Sequence, residues 1–247
     1  MKNIMFLAPL LALAACEGSI VDAVGEAATG ASSFSDGTAI GTSASNPGAF
    51  EGVTLAGPDN IIFTTGAEFS IRAEGDAEAI EQLRYSISGD QIKIGRESKG
   101  MSWNDSGKAT IYVSAPALKS AKLAGSGDME IDAMTTDSTK LSIAGSGNIR
   151  VANIDTESLD SKIAGSGSLN LAGTAESVDI SIAGSGDISG KDLKAASASI
   201  SVAGSGDVEL SSDGSVDAKV MGSGDVRIHG AAKCKSRAMG SGDITCG

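Results

Sequence analysis

Residues 163–190 read Ile-Ala-Gly-Ser-Gly-Ser-Leu-Asn-Leu-Ala-Gly-Thr-Ala-Glu-Ser-Val-Asp-Ile-Ser-Ile-Ala-Gly-Ser-Gly-Asp-Ile-Ser-Gly, and this stretch decides the fold. Two Gly-Ser-Gly triplets stand 19 residues apart, and apolar and polar residues alternate around them. The triplet occurs seven times, starting at Gly125, Gly145, Gly165, Gly184, Gly204, Gly222 and Gly240, in steps of 20, 20, 19, 20, 18 and 18 residues. Such a period is the mark of stacked structural repeats.

Aligning the copies on the first glycine exposes apolar columns. Two residues before it stand Leu123, Ile143, Ile163, Ile182, Val202, Val220 and Ala238; four after it stand Met129, Ile149, Leu169, Ile188, Val208, Val226 and Ile244. Six after it the column is mainly Ile, Val and Leu and ends at Cys246. Alternation is the period of a strand with one buried face. A leucine-rich repeat needs a Leu/Asn framework, and a propeller blade needs about 40 residues. The expectation is an all-β, right-handed parallel β-helix with coils of about 18–20 residues, in which like residues stack into ladders.

The residue after each triplet is Asp128, Asn148, Ser168, Asp187, Asp207, Asp225 or Asp243. Stacked carboxylates repel, so this column needs a reason. A calcium ladder or a catalytic acid cluster is one reading, but the calcium-binding β-roll repeat runs at about nine residues with a different Asp offset. Asp, Asn and Ser share the ability to accept hydrogen bonds from backbone amides at turns. A structural capping ladder is therefore expected, with metal binding the weaker alternative. The glycines supply positive φ or close approach of stacked backbones. A phosphate cradle is excluded, because every copy runs into a strand rather than a lysine or a helix.

Cys234 and Cys246 fall in inward columns of the last coils and are expected to pair as a structural staple. His229, the single histidine, lies on an outward parity and reads as a surface residue. Residues 47–120 lack the triplet but still alternate. Strands are expected at 53–55, 60–65, 69–73, 85–87, 91–94 and 109–113, with one or two helical turns over 76–83. Trp103, in a polar loop, reads as a packing anchor.

At the other end, residues 1–15 form a short apolar signal segment, and Leu13-Ala14-Ala15-Cys16 resembles the bacterial lipobox. Cys16 is the expected lipid attachment site, and residues 16–46, rich in Gly, Ala, Ser and Thr, are the expected flexible tether. Glu17 rather than Asp follows the cysteine, which favours the outer membrane. Residues 47–247 then form a single domain. The formal charge of −12 opposes nucleic acid as a partner. One histidine and three cysteines exclude multi-histidine and four-thiolate metal sites, and no cofactor is implied.

Phe50-Glu51-Gly52-Val53, the strands that follow, Val113-Ser114-Ala115-Pro116-Ala117-Leu118 and then Gly125-Ser126-Gly127-Asp128 resemble the auto-transporter adhesin head GIN domain group of exported bacterial proteins. The resemblance spans residues 48–247 and implies a right-handed parallel β-helix. It brings no functional residues with it. The expected function is a non-catalytic envelope lipoprotein with an adhesive or scaffolding role, whose partner is a protein, a glycan or another copy of itself. The alternative is a polysaccharide-active enzyme or a glycan-binding module. It is weakened because no Trp, Tyr or Phe occurs from residue 121 onward.

Overall fold

Where a β-branched or aliphatic residue occupies every second position, the chain extends and buries one face. The computed structural model describes residues 34–97 and 107–247 and follows that rule almost throughout. A 3₁₀ turn at Phe34–Asp36 leads to β1 (Thr38–Ala39), β2 (Gly52–Gly57), β3 (Asn60–Thr65) and β4 (Ser70–Gly75). A short helix, α1 (Ala77–Gln82), precedes β5 (Leu83–Ser88), β6 (Gln91–Arg96) and β7 (Ala109–Ala115). The repeats then give β8 (Ser120–Gly125), β9 (Met129–Ile131), β10 (Met134–Thr135), β11 (Ser138–Gly145), β12 (Ile149–Gly165) and β13 (Ser168–Gly184). The chain closes with β14 (Asp187–Gly204), β15 (Val208–Gly222), β16 (Val226–His229), β17 (Lys233–Gly240) and β18 (Ile244–Cys246).

From β8 onward the strands stack in parallel as a β-solenoid of about six turns. Ile149 pairs with Leu169, Leu169 with Ile188, Ile188 with Val208, Val208 with Val226, and Val226 with Ile244. Like therefore lies over like, as the aligned columns require. The inward column members up to Val226 and Ile228 are at most 7% exposed and belong to one continuous core. Only the last coil departs from this. Ala238 is exposed, and Cys234, Ile244 and Cys246 are half-buried against the core.

The N-terminal third is built differently from a simple stack. β2 lies between β6 and β8, and β3 lies between β7 and β9, all in parallel. The coil made first in the sequence thus sits between two made later. β4 folds back antiparallel on β7, β5 does the same on β6, and β1 pairs antiparallel with β5. An uncovered solenoid end would expose apolar core and open strand edge; these antiparallel strands cover it.

The expected strands of residues 47–120 are all present, and α1 takes the place of the expected helical turns. The tether expectation needs correction at its C-terminal end. Within residues 34–46, Ile40 is only 2% exposed, and Ser45 bridges Ile71 of β4. The Ser/Thr/Gly composition hid this because only Ile40 is fully buried, with Phe34 half-buried against Gly95 of β6. Phe50 next packs edge-on against Phe69, with centroids 5.4 Å apart.

Asp59 follows Pro58 in the corner after β2, at the place Gly127 holds in the next coil. It is buried and receives Arg96 Nε at 2.7 Å, Arg96 Nη2 at 2.6 Å and the Ala109 amide at 2.9 Å. This charge-assisted fork joins the interleaved coils. The Asp59 carboxylate raises the Arg96 pKa further, keeping the guanidinium charged.

Candidate functional site

The repeated corner is a pile of backbones. Gly165 has φ of +134°, and a Cβ there would lie 2.2 Å from the carbonyl oxygen of Gly145. A Cβ on Gly167 would meet the Gly147 oxygen at 2.1 Å. The first glycine therefore meets both a conformational and a steric demand, and the last a steric one. Between them, each serine amide donates to the first-glycine carbonyl of the preceding coil, as Ser166 does to Gly145 and Ser185 to Gly165, both at 2.9 Å.

The Asp/Asn/Ser column continues this pile with side chains. The Asn148 amide donates to Asp128 Oδ1 at 3.1 Å and the Ser168 amide to Asn148 Oδ1 at 3.2 Å. Asp207, Asp225 and Asp243 donate their amides in the same way to Asp187, Asp207 and Asp225, at 2.9, 2.8 and 2.9 Å. Asn60 begins the ladder by accepting from the Asp128 amide. The pattern breaks at Ser168: the Asp187 amide turns instead to the Gly167 carbonyl at 3.2 Å. A serine side chain is one atom shorter than those of Asp and Asn. The carboxylates of Asp128, Asp187, Asp207 and Asp225 thus hold the next coil, and among the described residues no group of three or more His, Cys, Asp or Glu could hold a metal ion.

Cys234 and Cys246 are joined, closing β17 onto β18 on the last coil. Their register partners are Val216 and Ile228, the aliphatics their columns foretell. Cys16 and Trp103 lie outside the described residues. His229 is half-buried rather than simply exposed, with Nε2 2.6 Å from Glu209 Oε1.

His229 also stands at the end of a long concavity, which sequence reasoning missed. Where β12, β13, β14 and β15 bend between their two sheet faces, the inward residues are small: Thr156, Ala175, Ala195 and Ser212, all at most 7% exposed. They floor a groove of about 940 Å³ running along the solenoid axis. One wall is the column Thr135, Asp155, Thr174, Lys194, Ser211 and His229, each paired with the next. The other carries Asp137, Glu157, Glu176, Ala196 and Asp213. The signal was present in the aligned repeats, since Asp137, Glu157 and Glu176 all lie eight residues before a first glycine. What the alignment could not show is that the chain is concave at that column.

On the flat face beside the groove, Asp179 of β13 pairs in register with Asp160 of β12. Asp179 is exposed at the surface, but desolvation by the packed strand around it, with the like charge of Asp160 adding to it, raises its pKa. No helix among the described residues is long and apolar enough to cross a membrane.

Comparison with known proteins places these features in a family. No curated protein matches the chain. Solved structures do. A putative adhesin from Bacteroides fragilis NCTC 9343 is 22% identical with a TM-score of 0.75, over 83% of this chain and 95% of that one. A putative lipid binding protein from Parabacteroides distasonis ATCC 8503 is 23% identical with a TM-score of 0.64, over the same shares. A putative adhesin from Parabacteroides merdae ATCC 43184 is 18% identical with a TM-score of 0.61, over 83% and 94%. At these identities the likeness is one of fold. The family model for "Putative auto-transporter adhesin, head GIN domain" matches residues 49–232, three quarters of the sequence, and the chain belongs to that family.

Proposed function

We propose that this protein is a non-catalytic interaction module of the bacterial cell envelope, exported, lipidated at Cys16 and held at the outer membrane. The observation that carries the interaction role is the axial groove, a preformed concave surface assembled from the same positions of successive coils. A regular solenoid suits extended partners, because one coil after another presents equivalent side chains. The adhesin names of its structural neighbours support the same reading. So does the Asp column, whose carboxylates are engaged in holding coils together rather than gathered around a reaction centre.

The lipobox-like Leu13-Ala14-Ala15-Cys16 supports the anchor. One acyl chain holds a protein only marginally, so stable attachment takes at least two signals. Two experiments test the reading. Labelled palmitate should enter the full chain in a bacterial host and be lost in Cys16→Ala, with the variant released from the membrane fraction; unchanged membrane association would remove the anchor. The purified protein should leave a panel of polysaccharides intact. Hydrolysis that disappears on replacing Asp187 or Asp207 would overturn the non-catalytic assignment.

A further inference from the structure

The groove has a length, a charge and a repeat, and together they select an occupant. Its walls run from Thr135 to His229, five inter-strand steps of about 4.8 Å, hence about 24 Å along the axis. Its volume of about 940 Å³ is that of a ligand site rather than a surface ripple. Five carboxylates line it, those of Asp137, Asp155, Glu157, Glu176 and Asp213, against one permanent cation, Lys194. Asp155 accepts the Thr174 hydroxyl, and Asp213 accepts the Ala231 amide. Glu157 and Glu176, stacked on neighbouring coils, have no ion-pair partner among the described residues. Like charges opposed across strands are destabilising, and here the capping role that explains the Asp ladder is absent.

We propose that this groove binds an extended, lysine- or arginine-rich peptide segment lying along the solenoid axis. This deepens the interaction-module reading and rests on it. In the polyproline II conformation three residues make one turn, so that every third side chain faces the same way, and advance about 9 Å, close to the thickness of two coils. A basic residue at every third position therefore meets the acidic wall at every second coil, and the small floor leaves room for the backbone. Polyanions are repelled. A neutral glycan is the weaker fit, because none of the lining residues offers the flat Trp, Tyr or Phe face on which a sugar ring stacks.

The test uses the full chain and a fluorescent peptide of about eight residues, long enough to span the groove, with Lys at positions i, i+3 and i+6. An isomer with its lysines in one block and a neutral linear oligosaccharide serve as comparison ligands. The spaced peptide should bind most tightly, and weaken as salt screens the charges. Glu157→Gln combined with Glu176→Gln should reduce affinity at least about tenfold, as should Ala196→Lys, which sets a cation into the acidic wall. All three changes are at exposed positions, and circular dichroism checks that the fold is kept. Equal binding by wild type and variants, equal binding of the block isomer, or binding of the oligosaccharide alone would overturn the inference. Those results leave the interaction-module reading standing; polysaccharide hydrolysis would remove that reading itself.

Discussion

Asp128, Asp187, Asp207 and Asp225 each accept the amide of the next coil, so one side-chain oxygen accounts for their place in the column. Asp207→Ala deletes the acceptor for the Asp225 amide and should cost about 1 kcal/mol. Asp207→Asn should cost little, since Asn148 already fills this role. Chemical denaturation of the two variants, with and without calcium, is the check; protection by calcium that depends on Asp207 would contradict the capping role. Asp179 behaves in the opposite sense. Its folded pKa is raised, so the fold favours its neutral form. Any stability it contributes is present in acid, below the ordinary aspartate range, and is lost as pH rises through the folded pKa. Asp179→Asn should therefore raise the denaturation midpoint at neutral pH and leave it unchanged in acid. The register partner Ser199 shows that the column accepts an uncharged residue.

At the scale of strands and corners, the solenoid depends on backbone contact that tolerates no side chain. Gly165→Ala combines a positive φ with a Cβ 2.2 Å from the Gly145 oxygen. Strain of this kind costs about 1–3 kcal/mol from φ alone, and the collision adds to it. The variant should melt well below wild type, whereas Ser166→Ala, which leaves the serine amide in place, should not. The last coil is held differently. Replacing Cys234 and Cys246 by serine reopens a loop whose closure is worth about 3 kcal/mol on the chain-entropy estimate. Hydrogen exchange should quicken in β17 and β18 and stay slow in β13 and β14. Uniform quickening across the solenoid would show that the staple guards the whole stack rather than its end.

Across the whole molecule, stability at the N-terminal end runs through the interleaved coils. Arg96 is 2% exposed and ties β6 to the corner after β2 through Asp59, while its Nη2 also reaches the Gly107 carbonyl at 2.8 Å. Removing one partner of a buried pair leaves the other charge unpaired and costs about 3–5 kcal/mol. Arg96→Met should therefore destabilise strongly, and the double variant Arg96→Met with Asp59→Asn should recover part of the loss. A double variant no better than the single would mean that Asp59 acts mainly through the Ala109 amide.

From residue 121 onward the amino-acid sequence by itself determined the coil length, the inward columns, the glycine corners, the capping ladder and the cysteine pairing. It could do so because each coil contacts only its neighbours, so a linear period translates directly into a spatial one. Tertiary structure alone decided three other things: the insertion of β2 and β3 between later coils, the docking of residues 34–46, and the acidic groove. The first two arise from pairings between segments far apart in the chain and outside the Gly-Ser-Gly period. The third depends on which way a corner bends, and curvature is a property of the stacked backbone that an alternating pattern does not encode.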